Sequence, residues 1–142
     1  MIHAAPIFVH CCRCTWCQRQ TGSAFALNAL IETSNVTVVE EGTPTRFRLA
    51  SRRAAGAGRD ALREVRVAVF NRYAALGDRL AFVRVGTLDD PSVAPASIHI
   101  FTSSKQPWVV LDGSVPVMEG YYRRSEQYSP ESYARYAALQ ES

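Results

Sequence analysis

The sequence lacks the features that mark a membrane or secreted protein. Within its 142 residues, no apolar run approaches the roughly 20 residues that a membrane-spanning helix needs. Its N-terminus also lacks the charged and then apolar order of a signal peptide. We therefore expect a cytoplasmic protein with no membrane partner, in a compartment where free thiols stay reduced.

Strong charge of one sign is also missing. The formal net charge is only +3, and charged residues make up 20% of the chain. Some arginines do cluster, but alanine and glycine interrupt the stretch, so we interpret it as a solvated loop and not as a phosphate-binding face. We therefore expect no nucleic-acid partner. The clustered arginines are Arg46, Arg48, Arg52, Arg53 and Arg59.

No cysteine occurs outside residues 11–17, where all four cysteines of the chain lie. Cys12, Cys14 and Cys17 form a C-x-C-x-x-C pattern, which is too crowded for ordinary disulfides without strain. Soft thiolates at this spacing suit a divalent metal, most simply zinc. Three protein ligands leave one coordination position open for water or substrate. The alternative is a set of metal-free thiols that oxidise readily.

Three further residues near this pattern or in a later strand could also bind a metal. Cys11 should point away from its neighbours on an extended segment, so we predict a buried small apolar residue and not a ligand. His10 and His99 could complete a metal shell. Isolated histidines on strands are more often hydrogen-bonded residues of the core or of a sheet edge.

Alternating polar and apolar residues predict a mainly β fold with a short C-terminal helix. The helix should begin with Ser129 at the N-cap and Pro130 at its first position. Residues 24–32 could be a buried strand or a short helix, whereas 18–23 read as a polar turn and 50–61 as a loop. The predicted strands are 7–10, 36–39, 46–49, 65–70, 80–85 and 98–101.

Two blocks of sequence resemble one known family. The run 9–26 reads VHCCRCTWCQRQTGSAFA, and the runs 82–89 and 99–108 read FVRVGTLD and HIFTSSKQPW. In this order they resemble the glutathione-dependent formaldehyde-activating family, also called CENP-V/GFA, of carbon–sulfur lyase type. The resemblance implies an Mss4-like fold of twisted antiparallel sheets around zinc, in a single domain over residues 1–142.

The resemblance also implies two zinc sites, and the sequence departs from it at one of them. Family members hold a substrate-associated zinc with the triplet that corresponds to Cys12, Cys14 and Cys17. Their structural zinc takes two cysteines from an N-terminal C-x-C hairpin and two from a later C-x-x-C. Here no C-x-C precedes residue 10, and residues 62–65 read LREV where the C-x-x-C is expected. We therefore expect one zinc ion and not two.

A frameshift is one explanation for part of this loss. Leu62-Arg63 and Val65-Arg66 can be encoded CTG-CGN and GTG-CGN, and each reads TGC, a cysteine codon, when shifted by one base. Because the two pairs lie three codons apart, the shifted frame could read Cys-x-x-Cys. Residues from about 51 to 65 would then be a frameshifted stretch; the alternative is ordinary sequence rich in arginine and alanine.

The chemistry that the resemblance implies is the making or breaking of a carbon–sulfur bond in a thiol adduct. The reference reaction joins glutathione and formaldehyde to S-(hydroxymethyl)glutathione, so the expected partner is a small thiol. Arg19, Ser23 and Lys105 are candidate substrate-binding residues, and no catalytic residue is assigned. Arg19 and Ser23 could instead simply satisfy a tight turn. The alternative function is a degenerate, inactive domain that binds zinc or another protein, and a homo-oligomer is compatible with either.

Overall fold

The computed structural model describes residues 1–37, 45–48, 58–61, 68–72 and 74–141. The prediction of a mainly β protein with a C-terminal helix is confirmed. The helices are α1 (Thr15–Thr21), α2 (Arg124–Gln127) and α3 (Pro130–Glu141). The strands are β1 (Phe8–Cys12), β2 (Ala26–Glu32), β3 (Thr45–Arg48), β4 (Gly58–Ala61), β5 (Ala68–Arg72), β6 (Leu80–Arg84) and β7 (Ile98–Ile100).

These strands form one sheet in the order β3-β4-β5-β6-β2-β1-β7. Neighbouring strands run antiparallel except for β1 and β7, which are parallel. β2 lies between β1 and β6, and its residues Ala29, Leu30 and Ile31 have no exposed surface at all. Because both faces of β2 are covered, its apolar residues run on without alternation. This is why the sequence alone did not distinguish a strand from a helix over residues 24–32.

The sheet has an apolar cluster on each face. The front face, defined by Cys12 and Leu30, packs against aromatic residues from the C-terminal part of the chain: Tyr122, Tyr128 and Tyr136. The back face, defined by Val9 and Ala29, carries a second cluster built mainly of aliphatic side chains. Since side chains alternate along β1, Cys11 faces the back while Cys12 faces the front.

Helix α3 begins where the sequence predicts. The Ser129 hydroxyl accepts a hydrogen bond of 3.1 Å from the backbone N–H of Ser132, and Pro130 is the first helical residue. This capping satisfies a backbone donor that would otherwise lack a partner at the helix start. Among the described residues, no helix combines the length with the apolar character that a bilayer span requires.

Two local predictions were wrong. Most of the predicted turn at 18–23 belongs to helix α1, which Cys14 caps. This helix has seven residues, which is too short for a periodic pattern to show in the sequence. Within the predicted loop at 50–61, residues 58–61 form β4, because pairing with β3 and β5 outweighs weak strand propensity. Residues 38–44, 51–57 and 62–67 lie outside the described residues, and so do most of the hypothetical frameshift and half of the predicted strand 36–39.

A partly buried ion pair joins α3 to β2. The Nε and Nη2 atoms of Arg135 donate to Glu32 at 2.8 and 2.6 Å, and Nη1 donates to the carbonyl of Ala5 at 2.9 Å. Burial by itself would raise the pKa of the Glu32 carboxyl. The hydrogen bonds and charge of Arg135, together with hydrogen bonds from Asn35 and the Glu32 backbone, outweigh burial and hold that pKa below its ordinary value.

We predict that Arg135→Met lowers the free energy of unfolding by about 1–2 kcal/mol at neutral pH, since two hydrogen bonds to Glu32 and one to the carbonyl of Ala5 are lost. Because folding lowers the pKa of Glu32, the contribution is complete above the unfolded-state pKa and is lost as the pH falls through the folded-state pKa. Urea unfolding from pH 7 to pH 3 measures both effects. Arg123→Met, at the exposed pair with Glu126, is the matched control and should change stability far less; equal losses in the two variants would contradict the prediction.

Candidate metal centre

The end of β1 and the start of α1 bring three cysteines together. Cys12 is the last residue of β1, and Cys14 is the extended N-cap of α1, whose sulfur accepts a hydrogen bond of 3.3 Å from the backbone N–H of Cys17. Cys17 lies one turn into the helix, on the same side as Cys14. The three sulfur atoms lie within 4.8 Å of one another.

This geometry fits a metal ion. Sulfur ligands at about 2.3 Å from a tetrahedral zinc stand about 3.8 Å apart, so only a small contraction of the cluster is needed. Among the described residues, these cysteines are the one group of three or more possible ligands gathered this closely. The prediction that Cys12, Cys14 and Cys17 could hold a metal ion is thus supported by their placement.

The three thiols shift one another's pKa values through hydrogen bonds. Hydrogen bonds from Cys12 and Cys17 hold the pKa of the Cys14 thiol far below its ordinary value, while the bond with Cys14 raises the pKa of Cys12. One thiolate, at Cys14, is therefore stabilised by its two neighbours. A metal ion that takes all three sulfurs would displace the remaining protons, so its binding should be weaker in acid.

Gln18 fixes the turn that carries the cysteines. Its Nε2 atom donates to the carbonyls of Arg13 and Ser104 at 2.7 and 2.8 Å, and its Oε1 atom accepts from Gln106 at 2.6 Å. The helix then ends at Gly22, whose left-handed backbone (φ 64°) favours glycine. Gln18 therefore has a structural role in α1.

A row of polar side chains crosses the front face beside the cluster. His10, Asn28 and Arg84 stand opposite one another on β1, β2 and β6. All three are buried. Nη1 of Arg84 donates to the Asn28 side-chain oxygen, and its Nη2 donates to Gln20 at 2.8 Å. Asn28 and Arg84 were not predicted from the sequence. Arg84 stands between two buried valines, Val83 and Val85, and this pattern could have indicated a buried charge.

Neither His10 nor His99 contributes a ring nitrogen to the cluster of possible metal-ligand atoms. Nδ1 of His10 lies 3.5 Å from the Tyr122 hydroxyl, and burial lowers the pKa of His10 to about 3, so its ring is neutral. His99 alternates with front-face residues on β7 and therefore faces the back of the sheet. Cys11 is buried there too, and burial raises the pKa of its thiol, as expected of an apolar core residue.

Two cavities flank α1. Arg19 and Ser23 line an open groove of about 710 Å³ together with Gln106 and Trp108. Lys105 does not line this groove; its ammonium group donates to the carbonyl of Val109 at 3.0 Å. The structure therefore brings two of the three candidate substrate-binding residues together and places the third in its own loop.

The second cavity measures about 510 Å³ and lies where β2 begins and β6 ends. Its lining is mostly apolar and includes Phe25 and Leu27, with the polar residues Gln20 and Arg84 in its wall. Because Arg84 donates to Gln20 and both residues line this cavity, the cavity lies beside helix α1, which carries Cys17.

Comparison with known proteins identifies the family. Residues 1–104 match the family model described as glutathione-dependent formaldehyde-activating enzyme. No curated protein matches the chain. The crystal structure of a Rhodobacter sphaeroides protein is similar at 17% identity and a TM-score of 0.47, covering 82% of this chain and 86% of that one. The match over residues 1–104 shows that the chain belongs to the glutathione-dependent formaldehyde-activating enzyme family.

Proposed function

We propose that this protein is a zinc-binding carbon–sulfur lyase of the cytoplasm that acts on adducts of a small thiol. The substrate class is a thiol such as glutathione joined to an aldehyde such as formaldehyde. The observation that carries the proposal is the cluster of Cys12, Cys14 and Cys17, in a chain that belongs to this family.

The three sulfurs suit zinc because thiolates are soft ligands and because a site with three protein ligands keeps one position open. When bound, the metal would supply that open position to a thiol and lower the pKa of its sulfur. In the direction of synthesis the thiol loses its proton, and its sulfur forms a bond to the carbonyl carbon as the carbonyl π bond breaks. The oxygen takes up one proton, so that protons and electrons balance. Cleavage reverses these changes, so no oxidant or reductant is required.

The chain's own residues would orient the substrate. Arg19 and Ser23 present a cation and a hydroxyl in the groove beside α1, which are suitable partners for the carboxylate or peptide groups of glutathione. On the other side of α1, the mostly apolar cavity would limit access of water to the reacting carbon. We propose Arg19 and Ser23 as binding residues; Lys105, tied to Val109, is a weaker candidate.

A degenerate, inactive domain is the second candidate. It is favoured by residues 62–65, which read LREV where the family's structural zinc site has its later C-x-x-C. A chain of this kind could retain the three-cysteine cluster and bind zinc without turning over a substrate. Metal content alone therefore does not separate the two candidates, whereas activity does.

We predict one zinc per chain in protein purified without chelator. Cys14→Ala should lower the zinc content to about a tenth or less, because only two sulfurs remain. Cys11→Ala is the matched control, since its thiol faces the back of the sheet, and it should retain the metal. Elemental analysis of the three proteins measures this, and zinc-free parent protein would contradict the proposal.

We also predict that the parent protein accelerates formation of S-(hydroxymethyl)glutathione, measured by NMR with the uncatalysed rate subtracted. Arg19→Met should raise KM about tenfold with little change in kcat, because a charge-assisted hydrogen bond contributes about 1.5 kcal/mol to substrate binding. Arg123→Met, at an exposed position in another part of the chain, is the control. Fully zinc-loaded protein with no activity on glutathione or other thiol adducts would support the inactive alternative instead.

A further inference from the structure

Arg84 is a buried cation whose hydrogen bonds, in the described part of the chain, go to neutral side chains. Only 7% of the residue is exposed, and the hydrogen-bond partners of its guanidinium include the side chains of Asn28 and Gln20, both of which are neutral. A buried charge is costly unless an opposite charge compensates for it. Within the described residues, no carboxylate forms a hydrogen bond with Arg84.

Geometry places Arg84 beside the cysteine cluster. Nη2 of Arg84 donates to Gln20, which lies one helical turn beyond Cys17 in α1, and Arg84 shares the front face of the sheet with Cys12. Burial lowers the pKa of Arg84, and interactions with Cys17, Cys12 and Cys14 act in the opposite direction, with a hydrogen-bonding contribution from Cys17. His10, in the same polar row, is a neutral ring and adds no charge. Arg84 is therefore placed to interact with the thiolates of the cluster.

Simple charge counting shows what this placement does. Three thiolates and one divalent cation leave one net negative charge, and the guanidinium of Arg84 neutralises it. Without Arg84, a fourth anionic ligand such as a substrate thiolate would have to approach a centre that is already negative. With Arg84, the same thiolate approaches a neutral centre.

We propose that Arg84 is a positioning residue that compensates the charge of the three-cysteine centre and thereby selects an anionic sulfur as its fourth ligand. This inference rests on the zinc site of the proposed function. It concerns the binding of metal and thiol and not turnover, so it can fail separately from the lyase activity.

A purely structural role is the rival interpretation, because Arg84 also ties β6 to α1 through Gln20. Two variants separate charge from shape. Arg84→Lys keeps the positive charge but loses the planar hydrogen-bonding group, whereas Arg84→Met keeps much of the length and loses the charge. Arg79→Met is the matched control. Arg79 directly precedes β6 and lies about 16 Å from Arg84, at roughly 3.3 Å per residue.

The first measurement is zinc affinity by competition with a chelator. We expect Arg84→Met to weaken zinc binding by about tenfold to a hundredfold, the usual effect of losing a residue that supports metal ligands. Arg84→Lys should recover most of the affinity, and Arg79→Met should match the parent. Weak binding in both Arg84 variants, or parent-like binding in Arg84→Met, would overturn the proposal.

The second measurement uses cobalt-substituted protein, whose visible spectrum reports the fourth ligand. Titration with 2-mercaptoethanol should show binding about tenfold weaker in Arg84→Met than in the parent, whereas titration with neutral imidazole should differ little. Equal losses for thiol and imidazole would show that Arg84 shapes the site without selecting charge, and would overturn the proposal. Parent protein that binds thiol in this way but catalyses no reaction would refute the lyase activity and leave this inference standing.

Discussion

The site depends on how the backbone of Arg13 is held between two cysteines. Its N–H donates to the carbonyl of Ile100 at 3.0 Å, and its carbonyl accepts from Gln18 and from the Ser104 hydroxyl at 2.7 and 3.2 Å. These bonds tie the end of β1 to β7 and to α1, and they leave the turn little freedom. Cys12 and Cys14 are consequently presented together before any metal arrives, which reduces the conformational entropy that binding would otherwise cost.

The front face combines an apolar core with a polar row at the metal centre. Leu30, Leu80 and Ile98 have no exposed surface, while His10 and Arg84 occupy the same face close to the cysteines. Polar groups are stable in such a place only when they are hydrogen-bonded or paired with charge. Thiolates of the cysteine cluster would supply that charge, which is a physical reason for the burial of Arg84 beside it.

Local patterns were predictable because their causes are local. The C-x-C-x-x-C spacing places its sulfurs within six residues of chain, and Ser129-Pro130 specifies a helix start through capping. Cys11 was expected to be buried because of strand alternation, and it is. By contrast, α1 and β4 were missed, because a seven-residue helix is too short for periodicity and β4 depends on pairing with its neighbours.

The sequence by itself determined which residues could bind a metal and the family to which they point. Only the tertiary structure decided what surrounds them. Arg84 reaches Asn28 across 56 residues and Gln20 across 64, and that contact exists only because β6 pairs with β2 in one particular register. A shift of one residue would turn Arg84 to the opposite face, because side chains alternate along a strand. The register of the sheet, which a single sequence does not specify, therefore determines that the charge of Arg84 lies beside the cysteines.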